Sequence, residues 1–277
     1  MPQFAANLHY LFSEVPFLER FEWAAACGFR AVEFQVPYDW PVQQLADLLA
    51  EHQLVLALID TPTGNWQAGD RGLASAPGRE KEFFAGLEKT IAYARVLKPK
   101  CVHVLAGVYD STTAYELAEE TFIANLKIAA QALTEINVAA VIEPINNKMD
   151  VVQGGERYVT QGMRGFFLHR VDQARNIIER VAHKNLFLHL DLYHQQIMQG
   201  RLSETLREIV SVIRHIQFAG VPGRHEPDVG EIHYPFLFEL IDQLGYRGWI
   251  GCEYRPIAQT ESGLSWAAPY GIAPRRT

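Results

Sequence analysis

Residues 139–145 read AAVIEPI, an apolar run of strand length with a single carboxylate, Glu143, near its end. Such a run is what a strand buried on both faces requires. Seven more recur along the chain: FAANLHY (4–10), AVEFQ (31–35), VLALID (55–60), CVHVLA (101–106), LFLHLDL (186–192), IRHIQFA (213–219) and WIGCEY (249–254). Between them the apolar residues change to helical spacing. Examples are Leu18, Phe21, Ala24 and Ala25; Leu117, Phe122, Leu126, Ala129 and Leu133; Val171, Ala174, Ile177, Ile178 and Val181; and Phe236, Leu237, Leu240, Ile241 and Leu244. Strands alternating with helices imply βαβ crossovers and a parallel sheet. Eight units, with no glycine-rich dinucleotide turn after the first, predict an α/β fold of the closed (β/α)8 TIM barrel type rather than an open doubly wound sheet.

The chain reads as one domain over residues 1–277, because barrels of about 250 residues fold as a unit. Pro16 and Pro41 suit helix starts, and Gly28 and Gly245 suit helix stops. Two connections are long, 61–79 after the third run and about 146–168 after the fifth, and a short tail follows the eighth. Both leave the carboxyl ends of strands, the face where barrel enzymes keep their active sites. Within the second, residues 148–163 are expected to form a flap over the site or an arm to a neighbouring subunit. Gly154 and Gly155 would be its hinge and Tyr158 and Val159 its apolar contacts, and no strand is added.

A net charge of −7 without a basic stretch argues against nucleic acid as a partner, since phosphate neutralisation supplies most of such affinity. No apolar run approaches the ~20 residues of a membrane span, and the amino terminus lacks a basic region followed by an apolar one. Cys27, Cys101 and Cys252 are far apart and without CxxC spacing, which suits small buried residues in a reducing cytoplasm.

Four runs carry a polar residue near the end: Glu143, Asp191, Gln217 and Glu253. On four strands of one barrel these can converge. Three carboxylates there would repel, and each would be costly to bury alone. One divalent cation resolves both problems, and three carboxylates with one amide suit a hard ion, Mg2+ or Mn2+, better than zinc. His189 and His215 alternate with Asp191 and Gln217 along their runs and are expected as core histidines one layer deeper. His194, three residues after Asp191, is expected at the rim as a ligand-facing group.

Several segments then resemble the hydroxypyruvate isomerase family, within the xylose-isomerase-like barrel superfamily. They are FAANLHYLF, FLERFEWAAACGFRAVEF, PYDW, GNWQAGDRGLASAPGRE, VIEPIN, DLYHQQ, HIQFAGVPGRHEPDVGEIHY and GCEYRP. The resemblance implies Glu143, Asp191, Gln217 and Glu253 as ligands of one divalent cation, with Glu143 and Glu253 doubling as the catalytic acid–base pair. It also implies that His194 and Arg224 hold substrate oxygens, with Arg71 or Arg79 adding a carboxylate contact. Two departures stand out. Residue 65 is Asn where many relatives have Asp, and the connection after Asn146 is longer by roughly a dozen residues.

The implied reaction moves a proton between adjacent carbons of a small oxo-acid, hydroxypyruvate giving tartronate semialdehyde. Two carboxylates on opposite sides of the substrate suit it, both ionised beside a cation. A 2-oxo-tetronate isomerase or a ketose 3-epimerase is the nearest alternative, and a non-catalytic sugar-acid binder a remote one. A nuclease would want histidine-rich metal sites and a basic groove. The expected partner is therefore a small hydroxy- or oxo-acid or sugar, with no membrane, and a homo-oligomer is left open.

Overall fold

The computed structural model describes residues 1–110, 112–148 and 163–275, together with the backbone of 151–153 and 156–158. The barrel strands are β1 (Gln3–Asn7), β2 (Ala31–Glu33), β3 (Val55–Leu56 and Leu58–Asp60), β4 (Cys101–His103), β5 (Ala139–Ile142), β6 (Leu186–Asp191), β7 (Ile213–Phe218) and β8 (Trp249–Cys252). Every neighbouring pair is parallel, and β1 pairs with β8, so the sheet closes into a ring. The third run, expected as one strand, is divided at Ala57, its first piece pairing with β2 and its second with β4. Ala57 itself keeps the ring continuous: its N–H donates to Val32 O and its carbonyl accepts from Cys101 N.

The helices are α1 (Arg20–Ala26), α2 (Val42–Glu51), α3 (Glu80–Leu97), α4 (Tyr115–Thr134), α5 (Val171–Val181), α6 (Leu192–Met198), α7 (Leu202–Ile209) and α8 (Tyr234–Gln243). Each buries one stripe against the ring. In α4 the buried stripe includes Phe122, Leu126, Ala129 and Leu133 as the sequence spacing predicts, but Leu117, expected in it, faces solvent at 54% exposure. α6 and α7 both lie between β6 and β7. After β8 the chain forms a 3-10 helix, Thr260–Tyr270, in place of a further α-helix. That segment is no loose tail. Trp266 meets Phe4, Phe218 and Phe238 edge-on or tilted, with ring centroids 5.2, 5.3 and 6.0 Å away, which ties it to β1, β7 and α8. Offset aromatic pairs of this sort are each worth about 0.5–1.5 kcal/mol beyond the area they bury.

The expectation that residues 148–163 add no strand does not hold. Val151–Gln153 pairs antiparallel with Glu156–Tyr158, a small ladder separate from the barrel sheet. The expected hinge at Gly154 and Gly155, and the contact at Val159, lie outside the described residues. The loop over 61–79 packs backbone against backbone on the chain after β4: a Cβ at Gly107 would sit 2.3 Å from Gly72 O, which only glycine avoids.

Inside the ring, Glu33 at the end of β2 is fully buried. It accepts from Asn7 Nδ2 at 2.9 Å, Gln217 Nε2 at 2.6 Å and His215 Nε2 at 2.6 Å. Three donors are what such a carboxylate needs in a site of low dielectric. Gly251 on β8 leaves the space, because a Cβ there would stand 2.2 Å from Glu33 Oε1. Gly251→Ala is therefore expected to destabilise the protein by about 1–3 kcal/mol, the cost of overpacking a core. Thermal unfolding should show a midpoint lower by several degrees, and an unchanged midpoint would mean that the Glu33 cluster has slack.

Candidate active site

All eight strands deliver a polar side chain at or just past the carboxyl end: Asn7, Glu33, Asp60, His103, Glu143, Asp191, Gln217 and Glu253, none more than 7% exposed. The sequence reading singles out only the last four. Above them opens a cavity of about 730 Å³, lined among others by His9, Tyr10, Gln35, Asp60, Trp66, Arg71, His103, Glu143, His189, His194, Gln217, Arg224, Glu253 and Arg255. That volume lies within the range of small-molecule sites.

Asp191 closes β6 and caps α6. Its Oδ1 accepts from Tyr193 N at 2.8 Å, while Oδ2 faces Arg224 Nη2 at 3.4 Å and His194 Nε2 at 3.5 Å. Glu253 Oε1 accepts from Gln35 Nε2 at 2.6 Å, and its Oε2 accepts from Arg224 Nη2. Gln217 gives its amide N–H to Glu33, which leaves Gln217 Oε1 buried without a hydrogen bond; Glu143 Oε1 is in the same condition. Burial, then the charges of Glu253 and Asp191, holds the Glu143 carboxyl well above its usual range. Burial pushes Glu253 up to about 8 against the pull of Arg224, and burial raises Asp191 as well. Without a cation, burial therefore favours the protonated form at Glu143 and Glu253, whereas the sequence reading has both ionised beside one. Two bare buried oxygens and mutually repelling carboxylates fit a hard divalent ion, for which Glu143, Asp191, Gln217 and Glu253 are suitable donors.

His194 is buried at the start of α6, not at the rim. Asn146 Nδ2 donates to its Nδ1 at 2.7 Å, so Nε2 carries the proton. Burial, then the charge of Arg224 and then His103, holds the ring well below its usual pKa and neutral. His215 is the core histidine expected, but His189 is not: it lines the cavity, with Nδ1 3.6 Å from Glu143 Oε2.

The arginines divide. Arg224 has a left-handed backbone, φ 61°, and lies between Tyr10 and Tyr193 with guanidinium-to-ring distances of 5.0 and 4.9 Å. Its Nε donates to the Glu253 carbonyl and its Nη2 faces the Glu253 and Asp191 carboxylates, so it braces two acids while also lining the cavity. Arg79 is not among the residues lining the cavity. It grips Asp70 with Nη1 and Nη2, at 2.7 and 2.9 Å, and Glu82 with Nε and Nη2. Asp70 in turn accepts from Asn65 N at 2.7 Å, and Asn65 Oδ1 caps the short 3-10 helix Trp66–Ala68. Arg71 does line the cavity. It stacks at 3.5 Å on the Trp66 ring and forms no ion pair among the described residues.

Three comparisons extend this geometry. The model of the xylose isomerase-like TIM barrel family matches residues 21–270. A protein of Cupriavidus necator named 2-oxo-tetronate isomerase is 44% identical over 270 residues, covering 98% of this chain and 99% of that one. One of Escherichia coli named hydroxypyruvate isomerase is 42% identical over 270 residues, covering 98% and 100%. A crystal structure of a Brucella melitensis protein named AP endonuclease, family 2 superimposes with a TM-score of 0.91 at 42% identity, covering 98% and 99%. With a closed parallel barrel and its polar groups gathered at the strand carboxyl ends, the chain belongs to the xylose isomerase-like TIM barrel family, in the hydroxypyruvate isomerase family within it, and is an isomerase.

Proposed function

We propose that the chain is a metal-dependent isomerase that interconverts hydroxypyruvate and tartronate semialdehyde. The observation that carries this is the pair of buried oxygens without hydrogen bonds, Glu143 Oε1 and Gln217 Oε1, in a cavity that Glu143 and Glu253 both line. A divalent ion would be held by Glu143, Asp191, Gln217 and Glu253 and would supply Lewis acidity to a carbonyl and stabilise developing negative charge.

The residues do the rest. Glu143 has an uncommitted oxygen and is the base that takes a proton from C3 of hydroxypyruvate. The C–H electron pair becomes the C2–C3 double bond, and the carbonyl pair moves onto O2, giving an enediolate. C2 then takes a proton from Glu253, which enters this step protonated, while the O3 hydroxyl passes its proton to O2 and the carbonyl re-forms at C3. Glu143 is left protonated and Glu253 ionised, and a proton released by the first and taken up by the second through solvent resets the pair. The neutral His194, with Nε2–H directed toward the carboxylates, donates to a substrate oxygen. Arg71, stacked and without an acid partner, receives the substrate carboxylate at the mouth.

A 2-oxo-tetronate isomerase is the second reading. It is favoured by the name of the Cupriavidus relative and by a cavity with room for one more hydroxylated carbon. A nuclease reading, suggested by the name of the Brucella protein, has against it a chain of net charge −7. Turnover of hydroxypyruvate, 2-oxo-tetronate and ketoses, measured with Mg2+ and Mn2+ after chelation, decides among these. Absence of turnover of any oxo-acid with either ion would remove the proposal.

Glu143→Gln and Glu253→Gln each keep an oxygen for the ion but lose the base, so kcat should fall by about 100-fold or more. A wild-type rate in either variant would rule out the two-carboxylate mechanism. Dihydroxyacetone replaces the carboxylate of hydroxypyruvate by a neutral hydroxymethyl group and separates charge recognition from chemistry. Arg71→Gln should raise KM for hydroxypyruvate by about 10–100-fold, the value of a charge-assisted contact, and leave KM for dihydroxyacetone unchanged. Equal losses on both substrates would make Arg71 structural.

The raised carboxyl pKa values also set a pH dependence. Between the usual carboxylate range and about 8, the ion-free folded chain holds protons that the unfolded chain has released, so its stability falls as pH rises. A cation must displace those protons. Magnesium affinity and the thermal shift it induces should therefore both grow from pH 6 to pH 8, as titration calorimetry and melting would read; flat affinity would mean that the carboxylates are already ionised.

A further inference from the structure

The two carboxylates of the proposed acid–base pair are held differently. Glu143 Oε1 makes no hydrogen bond among the described residues. Glu253, one residue past the end of β8, is held at both oxygens. Gln35 Nε2 donates to its Oε1 at 2.6 Å, and Arg224 Nη2 donates to its Oε2. We propose that Gln35 is a positioning residue for the second proton transfer, its amide aiming the Glu253 carboxyl at C2 of the substrate. The inference rests on the isomerase reading and on the roles given there to Glu143 and Glu253.

Residue 35 is seated before its side chain acts. It follows β2 by two residues, and its N–H donates to His9 Nδ1 at 3.0 Å while its carbonyl accepts from Asp60 N at 2.7 Å. His9 in turn packs on Phe17, which stacks on Trp40 with ring centroids 4.1 Å apart. The amide so placed lines the cavity together with Glu253. It has no second task among the described residues, because Gln35 Oε1 is buried and makes no hydrogen bond there. A buried acceptor left unpaired costs free energy, so an apolar side chain of similar length would pack better. What such a side chain lacks is the N–H on Glu253. Arg224 alone would leave the carboxyl free to turn about a single contact; a second donor on the other oxygen removes that rotation. An amide does so without adding positive charge to a site proposed to take a divalent ion. Direction matters at this step, since misplacing a reacting group by about 1 Å can cost about 100-fold in rate.

Both contacts that seat residue 35 belong to its backbone, so Gln35→Met should fold with an unchanged melting midpoint. Gln35→Asn, which withdraws the amide by one methylene, keeps the residue polar and decides the matter if the Met variant melts early. Hydroxypyruvate turned over in D2O at saturating Mg2+ separates the two steps: deuterium in recovered substrate reports the transfer at Glu143, and product reports the transfer at Glu253. In either variant kcat should fall by about 10–100-fold and KM should stay within about twofold. Exchange into recovered hydroxypyruvate should continue at the wild-type rate, so the ratio of exchange to product rises as kcat falls. Calorimetry with Mg2+ alone should show affinity weakened by about 10–100-fold, as when a metal ligand loses an outer partner. The proposal is overturned by a wild-type kcat in Gln35→Asn, by exchange and isomerisation that fall together, or by unchanged Mg2+ affinity. Failure of the isomerase reading would appear in the wild type itself, as absent turnover of every oxo-acid, before any variant is compared.

Discussion

Five acids, Glu33, Asp60, Glu143, Asp191 and Glu253, lie at the strand ends of one ring, none more than 7% exposed. Burying a carboxylate costs several kcal/mol unless donors or cations face it, and neighbouring carboxylates add to the cost. Much of the upper barrel answers this constraint. Asn7, His215 and Gln217 surround Glu33; Gln35 and Arg224 serve Glu253; the first turn of α6 and Arg224 serve Asp191. Glu143 and Asp60 each have an oxygen with no hydrogen-bond partner among the described residues. The carboxylate proposed as the base is thus one of two that the barrel leaves with an unsatisfied oxygen. Sites that hold such unresolved demands are where function is usually found.

The sequence displays the ring well, because a parallel barrel strand is buried on both faces and leaves a dense apolar run. Its subtler features leave no such trace. Ala57 divides β3 where its hydrogen bonds pass from β2 on one side to β4 on the other, which apolar composition cannot report. The ladder at Val151–Gln153 and Glu156–Tyr158 is too short to show a period. Of the eight polar strand ends, Glu143, Asp191, Gln217 and Glu253 stand out in the sequence, whereas Asn7, Glu33, Asp60 and His103 do not enter the expected site. Yet AVEFQ, VLALID and CVHVLA carry the same signal, one polar residue in an apolar run. Applied evenly to all eight runs, the rule finds them too. Arginine roles are the least legible. Arg71 and Arg79 differ only in what folding places beside them, the Trp66 ring in one case and Asp70 with Glu82 in the other.

The 61–79 loop shows how a long connection is made rigid enough to serve a site. Its order comes from the Arg79–Asp70 bidentate pair, the Asn65 cap and the close approach of Gly72 to Gly107. An exposed ion pair is worth little by itself. Here it acts on geometry: Asp70 holds the turn from which Trp66 and Arg71 both project, which fixes the stacked pair at the cavity wall. An Asn at residue 65 serves this turn by accepting from Ala68 N without adding a further negative charge near Asp70.

Charge also accounts for how a site rich in acids could accept an anion. Asp60, Glu143 and Glu253 line the cavity, with Asp191 buried beside them, while Arg71, Arg224 and Arg255 supply the guanidinium groups. Glu33 stands apart, enclosed by its own donors. With every group ionised, this set carries one more negative charge than positive, and an oxo-acid would be repelled. The proposed divalent ion reverses the sign and leaves one net positive charge, held where the substrate's oxygens would lie. In a site of low dielectric that reversal outweighs any single hydrogen bond, since unit charges a few ångströms apart interact by about 4 kcal/mol even at an effective dielectric constant of 20. On this account the ion has a task before catalysis begins. With the acids ionised and no cation the cavity would favour neutral ligands; a divalent ion held by them would leave Arg71 at the mouth free to draw in a small anion.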